Sequence, residues 1–279
     1  MKNNIKEVTL FTIIILYFIY CLKYNFYIKE QVIYSLDIWI TKIIPSLFPT
    51  FIIIDLIYNS NIPYYITKYL HINCLYILSI ISGSPSNAYI LSKSKINITK
   101  QLSVTKYTSL IFTYNYLKLI FNTKLAIIII ILNILSNIIL TLIIKPENSE
   151  ITKINNNNIF NTIINSINKN IKTLITILGT IIFFNTLPIN LISNTYLKTF
   201  LFSILEITTS LNHLSTINIP LNLKLFFTII SLSTCGLCIE SQIKSIINDT
   251  YLNYNKYLYY RLLHLIIFLT ITLITINLL

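Results

Sequence analysis

The chain has 279 residues, of which 54% are hydrophobic and only 11% charged, with a mean hydropathy of +0.71. Soluble domains carry about 25% charged residues, so a soluble globular fold is excluded and an all-α, multi-pass transmembrane protein is expected. The formal net charge of +12 does not point to nucleic acid, because the lysines fall between apolar segments and not on one folded basic module; lysine-rich cytoplasmic loops account for them.

In chain order, Lys2 and Lys6 precede an apolar run over residues 8–19. No small-residue cleavage site follows, so a retained first span over 8–27 is expected instead of a signal peptide. Residues 31–42 are half-polar and hold Asp37 and the one tryptophan, Trp39, which favours interfacial depth. A second span, 43–58, carries Pro45 and Pro49, with Asp55 placed near the headgroups. Residues 70–91 are apolar but cut by Ser82-Gly83-Ser84-Pro85-Ser86-Asn87. A basic loop over 92–106 (Lys93, Lys95, Lys100, Lys106) leads into segments 107–121 and 125–144, a tight hairpin across Asn122-Thr123-Lys124. Residues 125–144 hold no charge and match the ~20 residues that cross a bilayer.

The polar stretch 145–158 reads as a linker between two halves. Ile159, Phe160, Ile163, Ile164, Ile167 and Ile171 then recur at helical spacing, the pattern of an amphipathic surface helix. Apolar segments follow at 174–192, 196–214, 221–239 and 259–279. The expected organisation is an N-terminal transmembrane helix over 1–31, a first half over 32–144, a cytoplasmic linker and amphipathic helix over 145–170, and a second half over 171–279. With both basic loops on the cytoplasmic side, 70–91 becomes a re-entrant hairpin and the two halves run in opposite directions, as an inverted repeat requires.

Only three glycines occur in the chain, and two of them interrupt apolar runs: Gly83 in 70–91 and Gly236 in 225–239. Backbone that leaves the helix at membrane depth forfeits hydrogen bonds worth several kcal/mol per group, so it persists only inside protein or beside a wet cavity. Interrupted segments in corresponding places of two halves point to a carrier's binding site; the competing reading of 82–87 is a turn outside the bilayer. Glu206 lies in an apolar run, where a carboxylate costs about 2.5–3.5 kcal/mol and should face a cavity or a partner, unless that segment lies at the interface. Thr208, Thr209 and Ser210 sit within one turn of it. Candidate solute-binding residues are therefore Ser82, Gly83, Ser84, Pro85, Asn87, Glu206, Thr208, Thr209, Gly236 and Gln242.

Cys235-Gly236-Leu237-Cys238 is a lone C-x-x-C pair without the context of a metal or redox site. Cys21 and Cys74 complete no disulfide framework, and His71, His213 and His264 form no ligand set. No catalytic motif is present. Neither an enzyme nor a metal or other cofactor is expected. Isoleucine, asparagine, lysine and tyrosine dominate while Arg261 is the one arginine, as AT-rich coding produces, and the run Asn155–Asn158 reads as the same bias.

Trp39, Pro45-Ser-Leu-Phe-Pro49, Ser82-Gly83-Ser84-Pro85 with Asn87-Ala88, Leu205-Glu206-Ile207-Thr208, and Cys235-Gly236-Leu237 ahead of Gln242 occur in that order. Over roughly residues 39–261 the chain resembles the YlbJ-type (SpoVV) sporulation integral membrane proteins. These share the Gate domain with nucleoside transporters and the FeoB iron transporter. The resemblance implies two Gate-like halves, a place in the outer forespore membrane, and import of dipicolinate, a small anion, during spore cortex and core maturation. Ser82, Gly83 and Pro85 match the family's first broken motif, Glu206 and Thr208 its acidic motif, and Gly236 with Gln242 its last. Ser84 replaces a usual aromatic, Ser210 a glycine and Cys235 a second glycine. Amides after Pro85 would favour an anion, Lys93 and Lys95 would gather it at the entrance, and Glu206 would take a coupling proton or cation. A Gate-type carrier of nucleosides and a non-transporting scaffold for spore-envelope assembly are the alternative readings; the lipid bilayer is a partner in all of them.

Overall fold

Isoleucine- and leucine-rich runs, almost free of glycine and proline, leave the backbone few alternatives to satisfying its own hydrogen bonds helically in lipid. The computed structural model describes residues 2–70, 74–93, 97–146, 159–247 and 252–277, and the regular structure among them is helical throughout. The elements are α1 (Lys2–Lys23), α2 (Asn25–Ile38), a π-helical turn (Trp39–Ile43), α3 (Ile44–Tyr58), α4 (Ile62–Leu70), α5 (Cys74–Ser82), α6 (Ser86–Leu91), α7 (Thr99–Thr105), α8 (Leu110–Ile120) and α9 (Thr123–Ile144). After residues 147–158 come α10 (Ile159–Asn185), a 3-10 turn (Pro188–Leu191), α11 (Thr195–Leu205), α12 (Ile207–Thr216), α13 (Leu221–Thr234), α14 (Gly236–Ile246) and α15 (Tyr254–Asn277).

Among the described residues, four stretches are long and apolar enough to span a membrane: Thr123–Ile144, Phe160–Leu191, Leu221–Ile246 and Tyr254–Thr275. A fifth arises if Lys6–Lys23 and Asn25–Ile43, which meet at 93°, are taken as one span. The protein is an all-α, multi-pass membrane protein. The exposed apolar side chains of α1, among them Val8, Phe11 and Leu16, face a medium as apolar as themselves and need no protein partner.

Two successive sets of elements have the same order: a helix (α3 or α10), two interrupted helices (α5–α6 and α7–α8, or α11–α12 and α13–α14), and a long helix (α9 or α15). Helix α3 packs on α10 and α9 on α15, while α6 packs on α14 and α8 on α12. Exchanging the two sets sends these four pairings onto one another. The largest apolar core gathers Leu102, Leu117, Ile129, Leu211, Leu232 and Phe268, so it draws on both sets. A second cluster stacks Phe51 on Tyr89 with ring centroids 4.4 Å apart and adds Leu174 from α10.

Several sequence expectations are revised. The segment 92–106 is not a basic solvated loop: Thr99–Thr105 is a helix whose residues, Lys100 apart, are buried, and Lys106 is fully buried. Lys95 lies outside the described residues, as do Lys153, His71 and 147–158 of the linker. The segment 107–121 is too short to span, since α8 covers only 11 residues; it continues the interrupted element that α7 begins. Asn122 supports the expected tight turn by accepting from Leu125 N at 2.8 Å, a helix N-cap. The amphipathic stretch and the span after it are one helix of 27 residues, so the boundary at 170/171 falls inside α10. The segment 196–214 divides at Glu206 into α11 and α12. The first span bends at Tyr24, between α1 and α2. Trp39 is half-buried and donates to the Leu174 carbonyl of α10 at 2.9 Å, so it ties two helices together. Asp55 is buried within the protein.

Candidate functional site

Each interrupted helix must terminate one half and start the next without leaving buried amides and carbonyls unpaired. At the first break, Gly83 adopts φ +70°, a conformation that costs glycine nothing, and Ser84 N donates to Tyr107 O at 2.7 Å. A Cβ on Gly83 would lie 3.2 Å from both Ser109 N and Tyr107 O, so the α5–α6 break is pressed against the α7–α8 break. The second set repeats the contact. Gly236 has φ +80°, and a Cβ there would lie 2.9 Å from Leu205 O and 3.1 Å from Glu206 Cα. Cys235, beside it, is also left-handed at φ +56°.

Glu206 is the residue that splits α11 from α12. Its backbone is extended, and its carboxylate accepts from Thr208 N at 3.1 Å and Thr209 N at 2.5 Å. A carboxylate N-cap both satisfies orphan amides and complements the positive end of the helix. On the other breaks, Ser109 Oγ accepts from Phe112 N at 3.3 Å to cap α8, and Thr234 Oγ1 accepts from Gly236 N at 3.2 Å.

A cavity of about 520 Å³ opens between these breaks. Its polar lining comes from Ser82, Ser84 and Ser86, from Thr108 and Ser109, from Glu206 and Thr208, and from Asn185 and Gln242. Ile43, Leu47, Ile177, Ile181 and Ile239 supply apolar wall, and Lys42 and Tyr116 lie together, the lysine donating to the tyrosine hydroxyl at 3.4 Å. The volume falls in the range of pockets that enclose small organic molecules.

Of the residues singled out from sequence, Ser82, Ser84, Pro85, Glu206, Thr208 and Gln242 line this cavity. Gly83, Asn87, Thr209 and Gly236 are not among its lining residues. Asn87 is fully buried, donates to Thr105 O at 2.9 Å and accepts from Ala88 N at 2.7 Å, so it joins α6 to α7. Thr209 stands one layer back and donates to Asn185 Oδ1 at 2.8 Å; Asn185 in turn donates to Ser35 Oγ at 2.9 Å. Gln242 donates to Thr180 Oγ1 at 3.1 Å, while Ser84 Oγ is buried with no partner among the described residues.

Sequence reasoning missed a second polar centre. Lys106 donates to Thr234 O at 2.6 Å and pairs with Glu240, which also accepts from Tyr257 Oη at 3.1 Å. Arg261 donates to Ser103 O at 2.8 Å, to Ser233 O and, at 3.2 Å, towards His264 Nδ1. The C-terminal carbonyls of α7 and α13, equivalent elements of the two sets, are thus capped by cations, which the negative helix ends favour. Asp55 has its own centre: it pairs with Lys93 and accepts from Tyr89 Oη and Ser166 Oγ, each at 2.6 Å. The signal for the Arg261 centre was present in the one arginine of a lysine-rich chain, since a guanidinium's planar fork suits it to buried, multiply bonded sites.

Among the described residues no group of three or more histidine, cysteine or acidic side chains is placed to hold a metal ion. Cys238 lines the cavity, whereas Cys235 is buried outside its lining. No family model, curated protein or solved structure matches the chain.

Proposed function

We propose that the protein carries a small organic solute across the membrane through this cavity. The observation that supports the reading best is the meeting of interrupted helices from both sets around one hollow that contains a buried carboxylate. Broken helices at membrane depth are tolerated where they line a cavity, and paired breaks in two repeats are the arrangement of alternating-access carriers. A scaffold would need neither.

The finer reading draws on the order of motifs from Trp39 to Gln242. It makes the two sets an inverted Gate-like repeat and the protein a YlbJ-like carrier in the outer forespore membrane, with dipicolinate as the first cargo to test and nucleosides as the second. The anion-binding role given to amides after Pro85 has less support, because Ala88 N and Asn87 N already donate within the chain.

Uptake by the purified protein in sealed liposomes tests the carrier reading, with radiolabelled dipicolinate and a nucleoside as cargoes. Thr208→Trp, which fills the cavity from its lining, is expected to reduce uptake at least about tenfold while the variant still purifies as a folded species. Uptake of neither cargo above that of empty liposomes removes the finer reading. Transport unaffected by Thr208→Trp removes the cavity as the route.

A further inference from the structure

We propose that the cavity selects organic solutes bearing a protonated amine, with the ammonium group held at Glu206. This rests on the cavity being the solute site and names the class of solute, a cationic one in place of the dipicolinate anion taken above as the first cargo.

Three acidic side chains are buried among the described residues: Asp55, Glu206 and Glu240. Asp55 is paired with Lys93 and Glu240 with Lys106. Glu206, only 6% exposed, has no ion pair among the described residues. The two amides it accepts from belong to the start of α12, and a helix N-terminus amounts to about +0.5 of an elementary charge. Roughly half a negative charge therefore remains unmatched. An ionised carboxylate has about four lone-pair sites, of which the amides occupy two. The same side chain lines the cavity, so the missing countercharge has room to arrive from there.

A cavity of about 520 Å³ is far larger than one dehydrated metal ion needs, and Ile177, Ile181 and Ile239 offer wall for an apolar body. Phe112 and Tyr116 also line it, with ring centroids 4.8 Å apart, and aromatic faces attract ammonium groups. The cavity's one lysine, Lys42, is exposed and already engaged by Tyr116, whereas Glu206 is buried. An anion would find its cation on an exposed, already engaged side chain and an unpaired carboxylate on a buried one. A cation finds the reverse.

Three probes with one common body isolate the charge: phenethylammonium, 2-phenylethanol and phenylacetate, titrated calorimetrically into the full-length protein in lipid nanodiscs. Phenethylammonium is expected to bind saturably and at least about tenfold more tightly than either analogue, with Glu206→Gln bringing it down to the level of the alcohol. Lys42→Gln, an exposed substitution that does not threaten the fold, is expected to tighten ammonium binding about two- to fivefold. Equal or tighter binding of phenylacetate overturns the proposal. So does ammonium binding that a folded Glu206→Gln variant leaves unchanged, or, should that variant not fold, an absence of tightening in Lys42→Gln. Sodium chloride that abolishes phenethylammonium binding at concentrations equal to those of the amine also overturns it, because the site would then be for a metal ion. Uptake of the same probes into liposomes separates the two readings. Glu206-dependent binding without uptake removes the carrier and keeps the site; uptake of dipicolinate or a nucleoside without ammonium preference does the opposite.

Discussion

At Gly236 the left-handed φ of +80° coincides with a Cβ position 2.9 Å from Leu205 O, closer than real Cβ atoms approach a backbone oxygen. At Gly83 the φ of +70° is similar, but the nearest atoms lie at 3.2 Å. Alanine at Gly83 meets mainly the left-handed penalty of about 1–2 kcal/mol. At Gly236 it must also push apart the two breaks, and a loss of about 3 kcal/mol or more is expected. Denaturant unfolding of the two variants in one detergent checks the order; a larger loss at Gly83 would show that the breaks do not press on each other as described. Lys106 and Glu240 belong to a different class. Removing one partner strands a buried charge and should cost about 3–5 kcal/mol, while replacing both by neutral residues should cost less than either single change. A double-mutant cycle on Lys106→Met and Glu240→Gln measures it. Lys106 was misread from sequence, and Glu240 was not singled out, for one reason. A lysine between apolar runs marks topology unless its carboxylate is known, and here that carboxylate lies 134 residues away.

For elements, the legibility of a break depends on its chemistry. Ser-Gly-Ser-Pro and Cys-Gly announce themselves, because glycine and proline have backbone reasons to interrupt a helix. Glu206 was visible as a charge out of place, although its role as the residue that ends α11 and caps α12 was not. The break at Tyr107–Ser109 carries neither glycine nor proline, and Gly83 and Ser84 dock on it. Only the partner reveals it. Element length misled in the same way: α7 and α8 are short, and no helical period separates a short buried helix from a loop. Caps offer a local test. Asn122→Ala removes the bond that starts α9 and is expected to lower the unfolding free energy by about 1 kcal/mol. Solute binding should be unchanged, since Asn122 lies outside the cavity lining. Altered binding would mean that the α8–α9 turn communicates with the site.

At the scale of the molecule, the all-α membrane class followed from composition. The pairing of α3 with α10 and α9 with α15 needed the structure, because similarity between the sets lies in element order and not in repeated residues. That pairing gives the molecule two layers of contact: long helices that hold the sets together, and interrupted helices that meet where a solute would sit. A carrier built so must let water reach the cavity from one side at a time, and the chain contains its own reporter. Cys238 lines the cavity but is itself only 1% exposed, and Cys235 and Cys74 are buried outside its lining. A small membrane-impermeant thiol reagent added to sealed vesicles is expected to modify Cys238 from one face and not the other, and a bound solute should slow the reaction several-fold. Cys238→Ser should abolish this labelling and leave any reaction at the half-buried Cys21, which mass spectrometry of the modified peptide distinguishes. Equal reaction from both faces would describe a pore. No reaction from either would show that the Cys238 thiol stays packed against Gln242 in both orientations, out of reach of water entering the cavity.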